Sequence, residues 1–146
     1  MKQQAIICDI DGTLANIDHR IHFLSGAHKD WRSFSESCVT DALNIWCKTV
    51  LERFSDAYRI ILVTGRYEEF RDVTELWLSQ NHIEYDRLYM RADGDSTQDS
   101  EVKKKIYHYH IEPHYDVLFC IDDRQRVVEA WRELGLTCLQ CKKGDY

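Results

Sequence analysis

Residues 5–16 read AIICDIDGTLAN, and the fold turns on how the apolar head of this stretch meets its acidic tail. "AIICDI" is short, continuous and closed by polar residues, which is how a strand reads when helices cover both faces of a parallel sheet. From its C-terminal tip come two carboxylates, Asp9 and Asp11, and a hydroxyl, Thr13, with Gly12 permitting the turn between them. A turn needs at most one such residue, so the pair of acids implies something held or attacked there.

Similar runs follow at 58–65 (YRIILVTG), 86–91 (DRLYMR) and 115–123 (YDVLFCIDD), with a weaker one at 136–141 (LTCLQC). Between them lie helical patterns. Residues 40–54 place Leu43, Trp46, Cys47, Val50, Leu51 and Phe54 on one face, with Thr40 or Asp41 suited to cap the start. Residues 67–81 do the same with Phe70, Val73, Trp77 and Leu78, and further helices are expected over 98–111 and 124–135, the last ending on Gly135. Strands alternating with helices pair in parallel through crossovers. The expected fold is therefore α/β, a doubly wound parallel sheet of about five strands with helices on both faces. Residues 1–146 are expected to form one domain. The polar, histidine- and aromatic-rich connection at 15–39 is long enough to be a lid.

Composition is consistent with this: 44% apolar residues in 146 suffice for a core. No stretch approaches the ~18 apolar residues of a membrane span and none reads as a signal peptide, so a soluble, cytoplasmic protein with no membrane partner is expected. A formal charge of −6 argues against broad electrostatic capture of nucleic acid, though not against a local basic groove. Cys8 and Cys120 fall in apolar runs and Cys38 and Cys47 in helical ones, so reduced thiols are expected; Cys138 and Cys141 form a single CxxC with no second pair to complete a zinc site. His108, His110 and His114 read as surface residues.

Ligands of doubly wound sheets bind at the carboxyl ends of the strands. That edge would gather Asp9, Asp11 and Thr13 with Thr64, Gly65 and Arg66, Arg91, and Asp122 and Asp123. Four crowded carboxylates repel unless a cation joins them, and an all-oxygen donor set suits Mg²⁺. Lysine and arginine at the same edge complement a phosphate. Phosphoryl chemistry is the expectation.

On these residues the chain resembles the haloacid dehalogenase (HAD) superfamily, whose fold is Rossmannoid: DxDGT at 9–13 matches its first motif, Thr64 the second, Lys103 the third and Asp122–Asp123 the fourth. The resemblance implies that Asp9 attacks phosphorus to form an aspartyl-phosphate, and that Asp11 protonates the leaving oxygen and then activates water. It implies Mg²⁺ held by Asp9, the Asp11 carbonyl and one of Asp122 and Asp123. "TGR", "YMRADGDSTQDSEVKKKI", "HIEPHYDVLFCIDDRQRVVEAWRELGLTC" and "KGDY" are further similar to the 3′-phosphatase domain of phage-type polynucleotide kinase-phosphatases. That similarity implies phosphate binding by Arg20, Arg66 and Lys103, orientation of Lys103 by Asp99 four residues before it, and an approach of Arg91 to substrate. Lys104 and Lys105 are expected to be solvated. No GxxxxGK[ST] occurs, so no kinase activity is expected of these residues, and cooperation with a separate kinase or ligase is. The expected substrate is a 3′-phosphate on a polynucleotide end or a nucleotide; the alternative is a nucleoside monophosphate or other small phosphorylated metabolite. On the lid, His19 and His22 flank Arg20 as candidate substrate contacts, and Trp31 and Phe34 either pack or stack a base.

Overall fold

A computed structural model describes residues 1–146. In chain order the elements are β1 (Gln3–Cys8), β2 (Ala15–Asn16), α1 (Trp31–Glu36), β3 (Ala42–Leu43), α2 (Ile45–Phe54), β4 (Arg59–Tyr67), α3 (Arg71–Gln80), β5 (Arg87–Arg91), α4 (Asp99–Ile106), β6 (Tyr115–Arg124), α5 (Gln125–Glu133) and β7 (Cys138–Gly144). Five strands form one sheet in the order β5-β4-β1-β6-β7, and every pairing in it is parallel. The five apolar runs of the sequence are these five strands.

Side-chain alternation along each strand assigns the two faces. Ile6 and Cys8 of β1, with Ile60, Leu62, Leu88 and Met90, pack on one side against Cys47 and Leu51 of α2 and Trp77 and Leu78 of α3. Ala5 and Ile7, with Ile61, Val63 and Cys120, pack on the other side against Val102 and Ile106 of α4 and Val127, Val128 and Trp131 of α5. Each fully buried aliphatic side chain contributes about 1.5–3 kcal/mol relative to exposure. The six cysteines are unpaired, and five of them are buried.

Element boundaries depart from expectation where long-range contacts intervene. The 40–54 helix begins only at Ile45, because Ala42–Leu43 pair antiparallel with Ala15–Asn16. Neither Thr40 nor Asp41 caps it: the N-cap position is Asn44, whose side-chain amide donates to the Thr13 carbonyl at 2.8 Å instead. The 98–111 helix is α-helical to Ile106 and closes with a π turn over Tyr107–Ile111. There His108 lies beside Glu112 and His110 stacks on Tyr89 at 5.2 Å.

The 15–39 segment is a small ordered subdomain. A 3-10 turn at Ile21–Leu24, α1 and a second 3-10 turn at Ser37–Thr40 surround a core of Ile17, Leu24 and Phe34, against which Tyr146 packs. No helix is long and apolar enough to cross a membrane.

Candidate active site

All five carboxyl ends of the sheet contribute to one pocket of about 610 Å³, whose lining includes Asp9 and Asp11, Thr64–Tyr67, Arg91, Asp99, Lys103, Asp122–Arg124 and Tyr146. Two of the strand pairings lose register there, between Val63 and Tyr67 and between Asp122 and Arg124. Such irregularities re-aim side chains out of the sheet and are common beside functional sites.

At the pocket floor Asp9 is 5% exposed. Lys103 Nζ donates to Asp9 Oδ1 at 2.8 Å, and Thr13 Oγ1 donates to Asp9 Oδ2 at 3.0 Å. Both carboxylate oxygens are thus aimed by neighbours. Burial, and then the charge of Asp122, push the Asp9 carboxyl well above the usual carboxylate range despite the pull of Lys103. Lys103 is itself buried, yet Asp122 and Asp9 hold its ammonium charged beyond any ordinary lysine.

Asp122 and Asp123 are adjacent in sequence and differently placed. The Asp122 carboxylate is spent: Oδ2 accepts from Lys103 Nζ at 2.9 Å and Trp131 Nε1 at 3.3 Å, and Oδ1 from the backbone N–H groups of Asp123 and Arg124 at 2.9 and 3.3 Å. Asp123 accepts at Oδ2 from the Tyr146 hydroxyl at 3.2 Å, while its Oδ1 is the one buried side-chain polar atom in the chain without a partner. Burial, then Asp122, raise the Asp123 carboxyl to about 6. Oxygens of Asp9, Asp122 and Asp123 lie within 4.8 Å of one another. Three carboxylates here share one lysine, an excess of two negative charges, and a hard divalent cation fits both that excess and the orphaned Oδ1. Of the two acids, Asp123 has the free ligand atom. Gly12 makes its approach to them: a Cβ there would fall 2.1 Å from Asp123 Oδ2.

The Asp11 side chain faces away from this trio. Arg66 Nη2 and Arg20 Nη2 each donate to Asp11 Oδ1 at 2.6 Å, and Arg66 Nε reaches both oxygens at 3.2 Å. Burial alone would raise the Asp11 carboxyl, but Arg66 and Arg20 hold it far below the usual range. Its backbone carbonyl faces the other way and lies 3.4 Å from the Tyr146 hydroxyl.

Several residues expected on substrate are engaged elsewhere. Arg20 is fully buried and does not line the pocket; besides Asp11 it binds Asp41 through Nε at 2.8 Å and Nη2 at 2.7 Å, and the Phe34 carbonyl through Nη1 at 3.0 Å. Every one of its donor groups is used inside the protein. His19 also turns to Asp41, at 2.7 Å, and His22 lies against Phe23 with its ring tilted by 38°, and neither lines the pocket. Asp99 makes no hydrogen bond to Lys103. Its carboxylate is paired at 2.5 Å with Arg124, whose geometry is fixed from the other side by the Tyr146 carbonyl. Thr13 braces Asp9 from a fully buried position, and Thr64 Oγ1 accepts the Arg66 backbone N–H at 3.2 Å. Arg91 lines the pocket; its Nε donates to the Gly65 carbonyl at 2.9 Å and Nη1 to the carbonyls of Asp95 and Thr97, and Nη2 makes no hydrogen bond. Lys104 pairs with Glu133 at 2.8 Å, and Lys105 is exposed.

Asp41, Arg124 and Tyr146 are the participants that sequence spacing did not single out. Their partners lie 21 to 135 residues away, and no local periodicity carries such a signal.

Similarity to known proteins runs along the whole chain. It is 29% identical over 134 residues, 91% of its length, to a protein of Autographa californica nuclear polyhedrosis virus assigned as a bifunctional polynucleotide kinase/RNA ligase, of which it spans 18%. A chain in the Pnkp1/Rnl/Hen1 RNA repair complex superposes with a TM-score of 0.88 at 35% identity, covering 99% of this chain and 44% of that one. A haloacid dehalogenase-like hydrolase of Streptococcus pneumoniae superposes at 0.67 with 16% identity over 94% of this chain and 84% of its own, a likeness of fold alone. The chain thus spans less than half the length of the first two relatives. Residues 3–146 match the family described as the polynucleotide kinase PNKP phosphatase domain, and the chain belongs to that family, a phosphatase on a HAD-like α/β fold.

Proposed function

We propose that residues 1–146 act as one Mg²⁺-dependent phosphomonoesterase domain that removes the 3′-phosphate from a polynucleotide end, with Asp9 as nucleophile. What carries the proposal is the Asp9 carboxylate, buried at the pocket floor with Lys103 and Thr13 each aiming one oxygen. The family match and the repair-related names of the relatives support the choice of substrate.

In the first step an Asp9 oxygen bonds to phosphorus as the P–O3′ bond breaks, and Asp11 delivers a proton to the departing O3′. In the second, Asp11 takes a proton from water as that oxygen bonds to phosphorus, and the aspartyl–phosphorus bond breaks to free Asp9 and inorganic phosphate. Before substrate arrives, Arg66 and Arg20 hold Asp11 as a carboxylate. An incoming phosphate competes for Arg66, which lines the pocket, and not for Arg20, which does not. Diverting Arg66 loosens the grip on Asp11 and lets it take from solvent water the proton that it delivers to O3′; the second step restores that proton from the attacking water. Lys103 and Arg66, with the free Nη2 of Arg91, are the cations left to meet phosphoryl oxygens. A bound Mg²⁺, for which Asp9, Asp123 and the Asp11 carbonyl are the residues, supplies charge neutralisation of those oxygens.

The fusion of one relative to kinase and ligase functions, and the repair complex of another, support cooperation of this domain with end-healing and end-sealing activities. The acidic net charge of −6 favours the second reading, hydrolysis of nucleoside monophosphates or other small metabolites. A phosphate-release panel with Mg²⁺ across 3′-phosphorylated and 5′-phosphorylated oligonucleotides and mononucleotides tests both. Preferential release from 3′-phosphorylated oligonucleotides, abolished in Asp9→Asn, is expected; a preference for free nucleotides or 5′ ends would refute the first reading.

A further inference from the structure

The pocket changes character from floor to mouth. Asp9 and Lys103 at the floor are 5% and 3% exposed, whereas Trp31, at the start of α1, lines the same pocket and keeps 42% of its surface in solvent. Its neighbour one helical turn on, Phe34, is 4% exposed and serves the small core beneath. The two rings meet edge to face at 88° with centroids 5.7 Å apart, and the Arg124 guanidinium lies 5.5 Å from the indole, itself pinned by Asp99 and the Tyr146 carbonyl. An indole left open to water in a fixed orientation at a pocket mouth is a prepared flat surface. Two further cations stand at this pocket: Lys29, its Nζ over the indole 5.6 Å from the ring centroid, and Arg126, at the start of α5. Both line the pocket, both are exposed, and neither makes an ion pair, in contrast to Arg32, which binds Glu36 at 2.9 Å.

We propose that Trp31 is the stacking platform for the base of the terminal nucleotide, and that Lys29 and Arg126 receive the phosphodiester that follows it. The proposal rests on the 3′-phosphatase reading and assigns the selection of nucleic-acid ends to the mouth. A pocket of about 610 Å³ has room for a nucleotide beyond the phosphate itself. With the phosphate at the floor, the nucleoside must point outward past α1. Stacking on an aromatic face tolerates every base, and unpaired cations beside it supply the backbone contact, the two components of single-strand recognition. A local pair of free cations also reconciles an acidic chain with a polyanionic substrate.

The test compares three substrates: a 3′-phosphorylated oligonucleotide, the same strand with its terminal base removed, and p-nitrophenyl phosphate. For Trp31→Ala, KM for the intact end should rise about 5- to 100-fold, while the abasic end and p-nitrophenyl phosphate are unaffected. Trp31→Phe, which keeps an aromatic face, should recover most of the loss. For Lys29→Ala/Arg126→Ala, the slope of log KM against log salt for the oligonucleotide should flatten by about 0.7, the single-strand value for the one phosphodiester they receive. Equal losses on all three substrates, or no change on the intact end, overturn the platform. An unchanged salt slope overturns the phosphodiester contact. A wild type that hydrolyses p-nitrophenyl phosphate but no 3′-phosphorylated strand overturns the underlying 3′-phosphatase reading along with the proposal.

Discussion

Replacing Asp41 by Asn tests whether the buried ion network behind Asp11 is a structural element of this site. The Asp41 side chain is 0% exposed and accepts from Arg20 Nε and Nη2 at 2.8 and 2.7 Å, from Arg66 Nη2 at 3.4 Å and lies 2.7 Å from His19 Nε2. Two guanidinium groups therefore face two carboxylates, Asp11 and Asp41, in near isolation from water. The Asn variant keeps the shape and removes one charge, leaving Arg20, whose side chain is 1% exposed, and Arg66 to share Asp11 alone. Breaking a buried pair by removing one partner costs about 3–5 kcal/mol. Asp11 still compensates part of the stranded charge, so the lower end, about 3 kcal/mol, is expected. Against a total of about 5–15 kcal/mol for a domain, that is a large share. Urea unfolding should show a lower midpoint with an unchanged slope. In a double-mutant cycle, Asp41→Asn/Arg20→Met should lose little more than either single variant, a coupling of about 2 kcal/mol or more. A loss below about 1 kcal/mol with no coupling, the behaviour of an exposed pair, would refute the reasoning. Because both arginines then converge on Asp11, kcat should fall as well.

Two further outcomes follow from the acidic trio and from Gly12. The Asp123 carboxyl, raised to about 6 in the folded protein, titrates near 3.9 when unfolded, so its ionised form costs roughly 3 kcal/mol of stability above pH 6 and the cost disappears as pH falls toward 4. Mg²⁺ should thus raise the melting temperature at pH 7, with a gain that shrinks as pH drops through 6; a pH-independent gain in scanning fluorimetry with and without EDTA would sink this account. Gly12→Ala combines a φ of +82° with a Cβ 2.1 Å from Asp123 Oδ2, whereas Gly26, at φ +90°, has nothing within 4 Å. Both alanine variants should lose about 1–2 kcal/mol of stability from the left-handed backbone, but only Gly12→Ala should also lose phosphatase activity, as measured by phosphate release; equal activities would show that the contact with Asp123 is immaterial.

The strands were readable because each is buried on both faces and so spells a continuous apolar run, with Ile6 and Cys8 facing one helical layer and Ala5 and Ile7 the other. The gathering of Asp9, Thr64, Arg66, Arg91, Asp122 and Asp123 in one pocket was legible for the same reason, since parallel order brings strand ends together, whereas Lys103, on α4, was indicated only by the family resemblance. The structure differs from readings made from neighbouring residues and from one carried over by resemblance. Asp41 looked like a helix cap, but a buried arginine 21 residues earlier takes its carboxylate. Asp99 sits one helical turn from Lys103, yet the nearer demand comes from Arg124 across the helix–strand junction. Adjacent aspartates at 122 and 123 are equivalent as letters; their roles separate only when Trp131 and two backbone N–H groups saturate one of them.

The central position of β1 bears on how the chain is made. Its first strand is flanked by β4 and β6, so the emerging Gln3–Cys8 segment has no partner until residue 59 exits the ribosome, and its second neighbour arrives only at residue 115. Pairings of such long separation form slowly and leave apolar edges bare in the meantime. Since the Tyr146 hydroxyl lies against Asp11 and Asp123, a ribosome-bound fragment of this domain that ends before Tyr146 lacks a group that completes the pocket. Activity should therefore appear abruptly with nascent-chain length.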